Sequence, residues 1–289
     1  MYKIAILGCE NSHAINFLEF IKNDAEFSDV EVIGVYSNEA APANALNEKY
    51  GVPVMENADD LVGQVDGVMV TARDGKHHLP YVKPYLEAGI PVFMDKPITV
   101  KIDEAEEMME LFRKYGNKFT GGSTVKHCAV VKEIKSLVGA PKDSDERTIG
   151  GVVRAPINPK NDYGDFYFYA QHLVEIVSEV FGSFPKSIVA REKNEDINVL
   201  FRYDEYDIQG FYGSHSDHYY ISLFTFKGTR SEPIEFQQEI FREEFDHFYR
   251  LLKGETPEQD AKRFIAPVYL MNAIEKALES GEEVVIDWN

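Results

Sequence analysis

The residues best suited to chemistry in this 289-residue chain fall in three short stretches. The first is Val92-Phe93-Met94-Asp95-Lys96-Pro97, three β-formers followed by an acid, a base and a proline. Proline has no N–H for a sheet ladder, so a buried strand is expected to end at Met94, with Asp95-Lys96-Pro97 at its carboxyl edge. Ligands of open α/β sheets bind at that edge. A desolvated lysine there can contact a bound substrate and move a proton. The second stretch is Tyr163–Glu175, where His172 and Glu175 stand at i and i+3 and share a helix face. A carboxylate beside an imidazole can fix its tautomer and raise its basicity, so Glu175 is expected either to orient His172 or to tie the helix to a neighbour. The third is Gly8-Cys9-Glu10-Asn11-Ser12-His13, between a first strand and a first helix. A dinucleotide pyrophosphate would meet backbone N–H groups there. The usual fingerprint carries glycine at its first, third and sixth positions. Here Gly8 is kept, while Glu10 and His13 replace the other two. Glu10 would repel a pyrophosphate unless it points away, and Ser12 and His13 can donate hydrogen bonds in compensation. On the motif alone, Glu10→Gly should tighten cofactor binding or leave it unchanged.

Other stretches are less specific. At the end of the second strand an acid would hold a ribose diol and an arginine a 2′-phosphate. Ser37, Asn38 and Glu39 stand there, which leaves NAD and NADP both open. Thr71 ends a third strand at the ligand edge, followed by Arg73-Asp74-Gly75-Lys76-His77-His78. Adjacent residues on a helix start point apart, so His78 is read as a helix-start or cofactor-lining residue and no metal site is assigned. His215-Ser216-Asp217-His218 reads as a solvated hairpin turn.

Strand and helix must alternate to position these residues. Runs 3–7, 31–36, 66–71 and 91–94 read as strands and 118–124 as a further one. Helices lie between them, their apolar faces carrying Ile15, Leu18 and Ile21 in the first and Ile102, Ala105, Met109 and Phe112 in the last. Such alternation predicts a doubly wound parallel sheet over residues 1–122. Residues 123–289 follow a different pattern. A helix over 164–181 precedes strand-like runs at 187–192, 197–203, 207–212, 219–226 and, more weakly, 233–237. Helices at 239–253 and 258–280 and a short strand at 284–286 close the chain. Consecutive strands predict a large, mostly antiparallel sheet in an α+β domain. Tyr219–Phe226 carries large apolar groups at both parities, so both its faces call for burial, and a homodimer or homotetramer through that sheet is expected.

The net charge of −19 argues against a nucleic-acid or anionic-membrane partner. Cys9 and Cys128, the two cysteines, are no disulfide framework, which points to a reducing, cytoplasmic compartment. No run is long enough to span a bilayer, and Met1–Leu7 is too short for a signal peptide.

Taken together the chain resembles the Gfo/Idh/MocA oxidoreductases, the family of glucose-fructose oxidoreductase and inositol dehydrogenase. Asp95-Lys96-Pro97 is similar to the family's Glu-Lys-Pro motif, His78 to the histidine after its Thr-Pro-Asn-type loop, and Gly122-Ser123-Thr124-Val125-Lys126 to a segment that usually carries arginine at Lys126. The resemblance implies a dinucleotide-binding Rossmann domain and a substrate-binding and oligomerisation domain. It implies hydride transfer between NAD or NADP and a polyhydroxylated small molecule, such as a sugar, inositol or derivative. Lys96 would contact the substrate hydroxyl and nicotinamide ribose, and His172 would be the acid/base. Cofactor contacts would come from Gly8, Glu10, Asn11, Ser12, His13, Ser37, Asn38, Thr71, His78, Asp95, Lys96 and Pro97, and substrate contacts from Lys96, Lys126, Tyr163, Tyr169 and His172. The chain departs from the family where an aspartate and a glycine usually precede the histidine, since Phe168 and Ala170 stand there. Tyr163, Asp165, Tyr167 or Tyr169 would then substitute. The alternative implied is a non-catalytic sensor or regulator that binds a nucleotide or sugar.

Overall fold

The computed structural model describes residues 1–116, 118–255 and 260–288. In chain order its elements are β1 (Tyr2–Leu7), α1 (Ser12–Asn23), β2 (Val30–Tyr36), α2 (Ala40–Tyr50), β3 (Gly67–Val70), α3 (His78–Glu87), β4 (Val92–Asp95), α4 (Ile102–Lys114) and β5 (Phe119–Gly122). Then follow α5 (Ala129–Leu137), β6 (Thr148–Pro156), α6 (Phe166–Phe181), β7 (Ser187–Lys193), β8 (Asp196–Arg202), β9 (Asp207–Gly213), β10 (Tyr219–Thr225), β11 (Gly228–Ile234), α7 (Glu239–Leu252), α8 (Ala261–Ser280) and β12 (Val284–Val285). They form two compact units: Met1–Gly122 with Gln238–Ile265, and Ser123–Gln237 with the residues from Ala266 on. The expected continuous second domain over 123–289 is therefore interrupted, because α7 turns its apolar face back into the first unit. The expected start of the last helix at Glu258 lies outside the described residues.

In the first unit β1–β5 form one parallel sheet in the order β2-β1-β3-β4-β5. The chain leaves β1 towards β2 on one side and later takes β3 on the other. The strand order thus reverses at β1, and the crevice at its carboxyl end is the topological switch point where such sheets bind ligands. Pleat alternation sends Ile4, Ile6, Met69 and Phe93 to one face. There they share a buried cluster with Phe17 of α1 and Phe245 and Phe248 of α7. Each fully buried ring of that size contributes on the order of 1.5–3 kcal/mol. The α1 stripe differs from the expected one: Phe17 and Leu18 are buried while Ile15 is exposed. In α4 the buried set is Ala105, Met108, Leu111 and Phe112, so the stripe runs through Met108 instead of Met109.

Two glycines in this unit are required by geometry. Gly8 has φ +77°, and a Cβ there would lie inside the backbone of Ala72, so the β1–α1 loop can close on the end of β3 only through glycine. Gly121, at φ +122°, likewise lies against the Met94 carbonyl.

In the second unit seven strands form one sheet in the order β11-β10-β6-β9-β8-β7-β12. All neighbours are antiparallel except β6 and β9. Helix α6 packs on β6 and β9, with Tyr212 Oη donating to the Ala170 carbonyl at 2.7 Å. Two elements were not expected from sequence, α5 and β6. Strand β6 sits between β9 and β10, so 214–218 is a crossing connection and not the hairpin turn expected. Strand β11 also begins earlier than the weak run at 233–237, because its charged and hydroxylic residues suit a solvated edge. Strand β10 buries Tyr219, Ile221 and Leu223, while Tyr220 is exposed and Phe224 half-buried on the opposite face. No helix among the described residues is long and apolar enough to cross a membrane.

Candidate active site

At the switch point of the first unit the β1–α1 loop is tied to both neighbouring strands. The N–H groups of Gly8 and Cys9 donate to the Tyr36 carbonyl at the end of β2, at 2.8 and 3.1 Å. Thr71 Oγ1 donates to the Gly8 carbonyl at 3.0 Å. Asn11 caps α1: its Oδ1 accepts from His13 N at 3.2 Å, and its Nδ2 donates to Asp95 Oδ2 at 3.0 Å. Ser12 is exposed beside it. His13, which stands where the fingerprint wants a third glycine, places Nδ1 2.7 Å from Asp95 Oδ2 and packs edge-on against Phe241 and Phe17.

Asp95 is fully buried and also accepts from the Lys96 N–H at 2.7 Å. Burial pushes its carboxyl up, yet His13 and Lys96 outweigh that and hold it below the usual value. Thus the aspartate, the histidine and the capping asparagine form one buried knot that fixes the start of α1 against the end of β4. Lys96 is 5% exposed. Burial pulls its ammonium below the ordinary value, Asp95 opposes that pull, and Arg73 adds to it. Pro97 follows, also buried, where β4 has ended.

Glu10 points away from the α1 N-terminus. Its Oε2 accepts from Ser37 Oγ at 2.8 Å, just past β2, and its Oε1 from Arg73 N at 3.0 Å, just past β3. Asn38 is exposed and takes Tyr36 Oη on its Oδ1 at 2.9 Å. The two adjacent histidines diverge: His78 is buried with Nε2 2.8 Å from the Ala72 carbonyl, whereas His77 stacks on Tyr81. Burial lowers the His78 pKa. Cys9 and Cys128 are buried thiols, pushed up to about 12 and about 11 chiefly by burial, which makes poor nucleophiles of both.

In the second unit the residues near His172 form another buried network. His172 Nδ1 lies 2.6 Å from Ser123 Oγ, a partner 49 residues away that sequence reading missed. The expected pairing of Glu175 with His172 is replaced. Glu175 Oε1 accepts from Lys126 Nζ at 3.2 Å and Oε2 from Gln171 Nε2 at 3.0 Å, so both oxygens are engaged elsewhere. Burial raises the Glu175 pKa against the pull of Lys126. Among the residues that could replace the absent aspartate, Asp165 caps its own loop by accepting from Asn161 N, and Tyr167 Oη donates to Glu275. The Tyr169 ring lies beside His172, 5.6 Å between centroids, while Tyr163 tilts against Phe168. Tyr219, from β10, meets His172 edge-on. His215 and His218 are exposed.

The first unit fits a dinucleotide. Gly8 gives close backbone approach at the switch point, α1 offers its N-terminus there, and the Glu10 carboxylate is turned aside from it. Residues 2–123 match the model of the Gfo/Idh/MocA oxidoreductase family with its NAD-binding Rossmann fold. A glucose-6-phosphate 3-dehydrogenase of Bacillus subtilis is 25% identical over 285 residues, covering 88% of this chain and 78% of that protein. Among solved structures, a myo-inositol 2-dehydrogenase from Lactobacillus plantarum superposes with TM-score 0.84 at 14% identity, covering 99% of each chain. A scyllo-inositol dehydrogenase from Lactobacillus casei, solved with NAD(H) and scyllo-inositol, superposes with TM-score 0.81 at 17% identity over 99% of both chains. These two likenesses establish the fold.

Proposed function

We propose a substrate class and residue roles for this chain, which belongs to the Gfo/Idh/MocA family of NAD-binding Rossmann oxidoreductases. The substrate is a polyhydroxylated small molecule, a sugar, inositol or derivative, oxidised or reduced at one alcohol carbon. The relatives reported above are named as dehydrogenases of a sugar phosphate and of inositols, which supports that class and lends nothing to the non-catalytic alternative. The observation that carries the reading is the pair of buried, differently built sites: a lysine desolvated at the end of β4, and an imidazole whose Nδ1 lies 2.6 Å from a buried hydroxyl.

A bound nicotinamide supplies the hydride acceptor or donor. The chain's own residues do the rest. Lys96 polarises the reacting oxygen, and its depressed pKa brings its proton closer to transferable. His172 removes or returns the hydroxyl proton at Nε2. For that, its Nδ1–H donates to Ser123 Oγ, which leaves Nε2 unprotonated; the hydroxyl can accept because it has two lone pairs. Tyr169 and Tyr163 line the substrate side, and Lys126, neutralised by Glu175, offers N–H donors to substrate hydroxyls. The dinucleotide is held by Gly8, Asn11, Ser12, His13, Ser37, Asn38, Thr71, His78, Asp95 and Pro97. The first unit binds the dinucleotide and the second the substrate, in a reducing cytoplasm.

The second unit also supplies the assembly surface. One face of its sheet carries Val152, Leu200, Phe211, Tyr220 and Phe224, all partly exposed, and an apolar sheet face of this kind suits a homodimer or homotetramer. Light scattering at micromolar concentration should give a multiple of the chain mass; a monomer mass refutes the assembly. For the activity, a panel of sugars and polyols with NAD and NADP, followed at the reduced-nicotinamide absorbance, should show turnover of at least one. Cofactor binding with no turnover across the panel would favour the sensor.

A further inference from the structure

We infer that Glu10, from the β1–α1 loop, is the acid that reads the adenosine ribose and selects NAD over NADP. The inference rests on the dinucleotide reading of the first unit. In a Rossmann sheet the residue past the second strand decides between the two cofactors: a carboxylate accepts both hydrogen bonds of the ribose diol, and a cation takes a 2′-phosphate. Past β2 this chain has Ser37-Asn38-Glu39. Asn38 is engaged by Tyr36. Glu39 is exposed, and its backbone N–H donates to Ser37 Oγ at 3.1 Å. Ser37 therefore accepts from Glu39 N and directs its one proton to Glu10 Oε2 at 2.8 Å.

The carboxylate held at the end of β2 thus comes from another loop. It is pinned from two sides, by Ser37 past β2 and by the Arg73 N–H at 3.0 Å past β3, so it spans the mouth of the switch point over β1. A carboxylate has roughly four acceptor positions. Ser37 and Arg73 N occupy two of them. The others remain for a vicinal diol, and Glu10 is only half-buried, so a ligand can reach them. A 2′-phosphate in the same place would face this carboxylate. The Lys76 ammonium, carried on the segment after β3, is paired with Asp74 at 2.5 Å. The substitution that damages the glycine fingerprint would then supply what the end of β2 lacks, and the expectation for Glu10→Gly reverses: removing the side chain should weaken NAD.

The test measures dissociation constants of the full chain for NAD, NADP, ADP-ribose and 2′-phospho-ADP-ribose. Wild type, Glu10→Gln and Glu10→Gly are compared, with circular dichroism to show that each is folded. Glutamine keeps the shape and one acceptor oxygen, which guards against a folding defect. Wild type should prefer NAD and ADP-ribose over their 2′-phosphorylated forms by about tenfold or more. Glu10→Gln should shrink that preference by about tenfold, since a hydrogen bond to a charged acceptor is worth about that much. A wild type that prefers NADP, or a preference that moves less than threefold in a folded Glu10→Gln, overturns the inference while leaving the dinucleotide reading in place. Failure of all four ligands to bind wild type overturns both.

Discussion

Restoring the fingerprint glycine at position 13 should damage this protein. His13→Gly removes the ring whose Nδ1 lies 2.7 Å from the buried Asp95 carboxylate. If the imidazole is neutral, losing the contact costs at most about 1.5–3 kcal/mol, since Nδ1 is close to the carboxylate but poorly aligned for a hydrogen bond. If it is a buried ion pair, removing one partner costs about 3–5 kcal/mol. Asn11 Nδ2 and the Lys96 N–H still hold the carboxylate, which tempers the upper figure. Against that, the ring also leaves a gap beside Phe17 and Phe241, and a helical glycine costs a further ~0.5–1 kcal/mol. A net loss of about 3 kcal/mol follows, or roughly 6–12 °C in melting temperature for a unit of this size. Urea titration and thermal melting, both read by far-UV circular dichroism, measure it. The pH dependence supplies a second check. The folded-state Asp95 pKa is lowered, so its contribution is present above the unfolded value of about 4 and is lost as pH falls through the folded value. His13→Gly should flatten that acid loss. A stability change below about 1 kcal/mol, with the acid limb unaltered, would show that the knot does not hold α1 to β4.

Three further outcomes follow from the same geometry. His172→Ala and Lys96→Ala should each lower turnover by ~10²–10⁴-fold with cofactor affinity within a few-fold, whereas the exposed His215→Ala should change little; activity surviving both losses would move the site elsewhere. Ser123→Ala should lower kcat by about tenfold and displace the pH profile assigned to His172, with KM nearly unchanged, because a positioning hydroxyl acts through the imidazole. Glu175 has a raised folded-state pKa, so its stabilising effect is complete below the unfolded value of about 4.3 and is lost as pH rises through the folded one; Glu175→Gln should abolish that decline in urea titrations between pH 4 and 8.

The parallel sheet of the first unit and the position of Asp95-Lys96-Pro97 were legible because short apolar runs, each closed by glycine or proline, mark buried parallel strands directly; the strand order was not read from the sequence. Strand β6 was not. Its Gly150-Gly151 pair looks like a turn, although a Cβ at Gly151 would collide with Phe181 of α6, so the glycines serve close packing. Missing β6 made β9 and β10 look like a hairpin. Strand β11 hid for the opposite reason, as an edge strand wants charge and needs no apolar face. Of the candidate site, residue types could be read but partners could not. His13 with Asp95, Glu10 with Ser37 and Arg73, and Ser123 with His172 join residues tens of positions apart. The one pairing that local spacing did suggest, Glu175 with His172, was displaced by Lys126 and Gln171. Helical spacing places two side chains on one face and says nothing of stronger partners arriving from another element.

The return of α7 to the first unit bears on how the chain matures during synthesis. Phe245 and Phe248 complete the cluster around Met69 and Phe93, yet 115 residues, Ser123–Gln237, are translated between Gly122 and the segment that carries them. At ordinary elongation rates the parallel sheet waits roughly 6–23 s with that face covered only in part, by Phe17 and Leu18 of α1. During that interval the nascent sheet exposes the apolar surface that Phe245 and Phe248 later cover, and a chain released early, at Gly122, would keep it exposed.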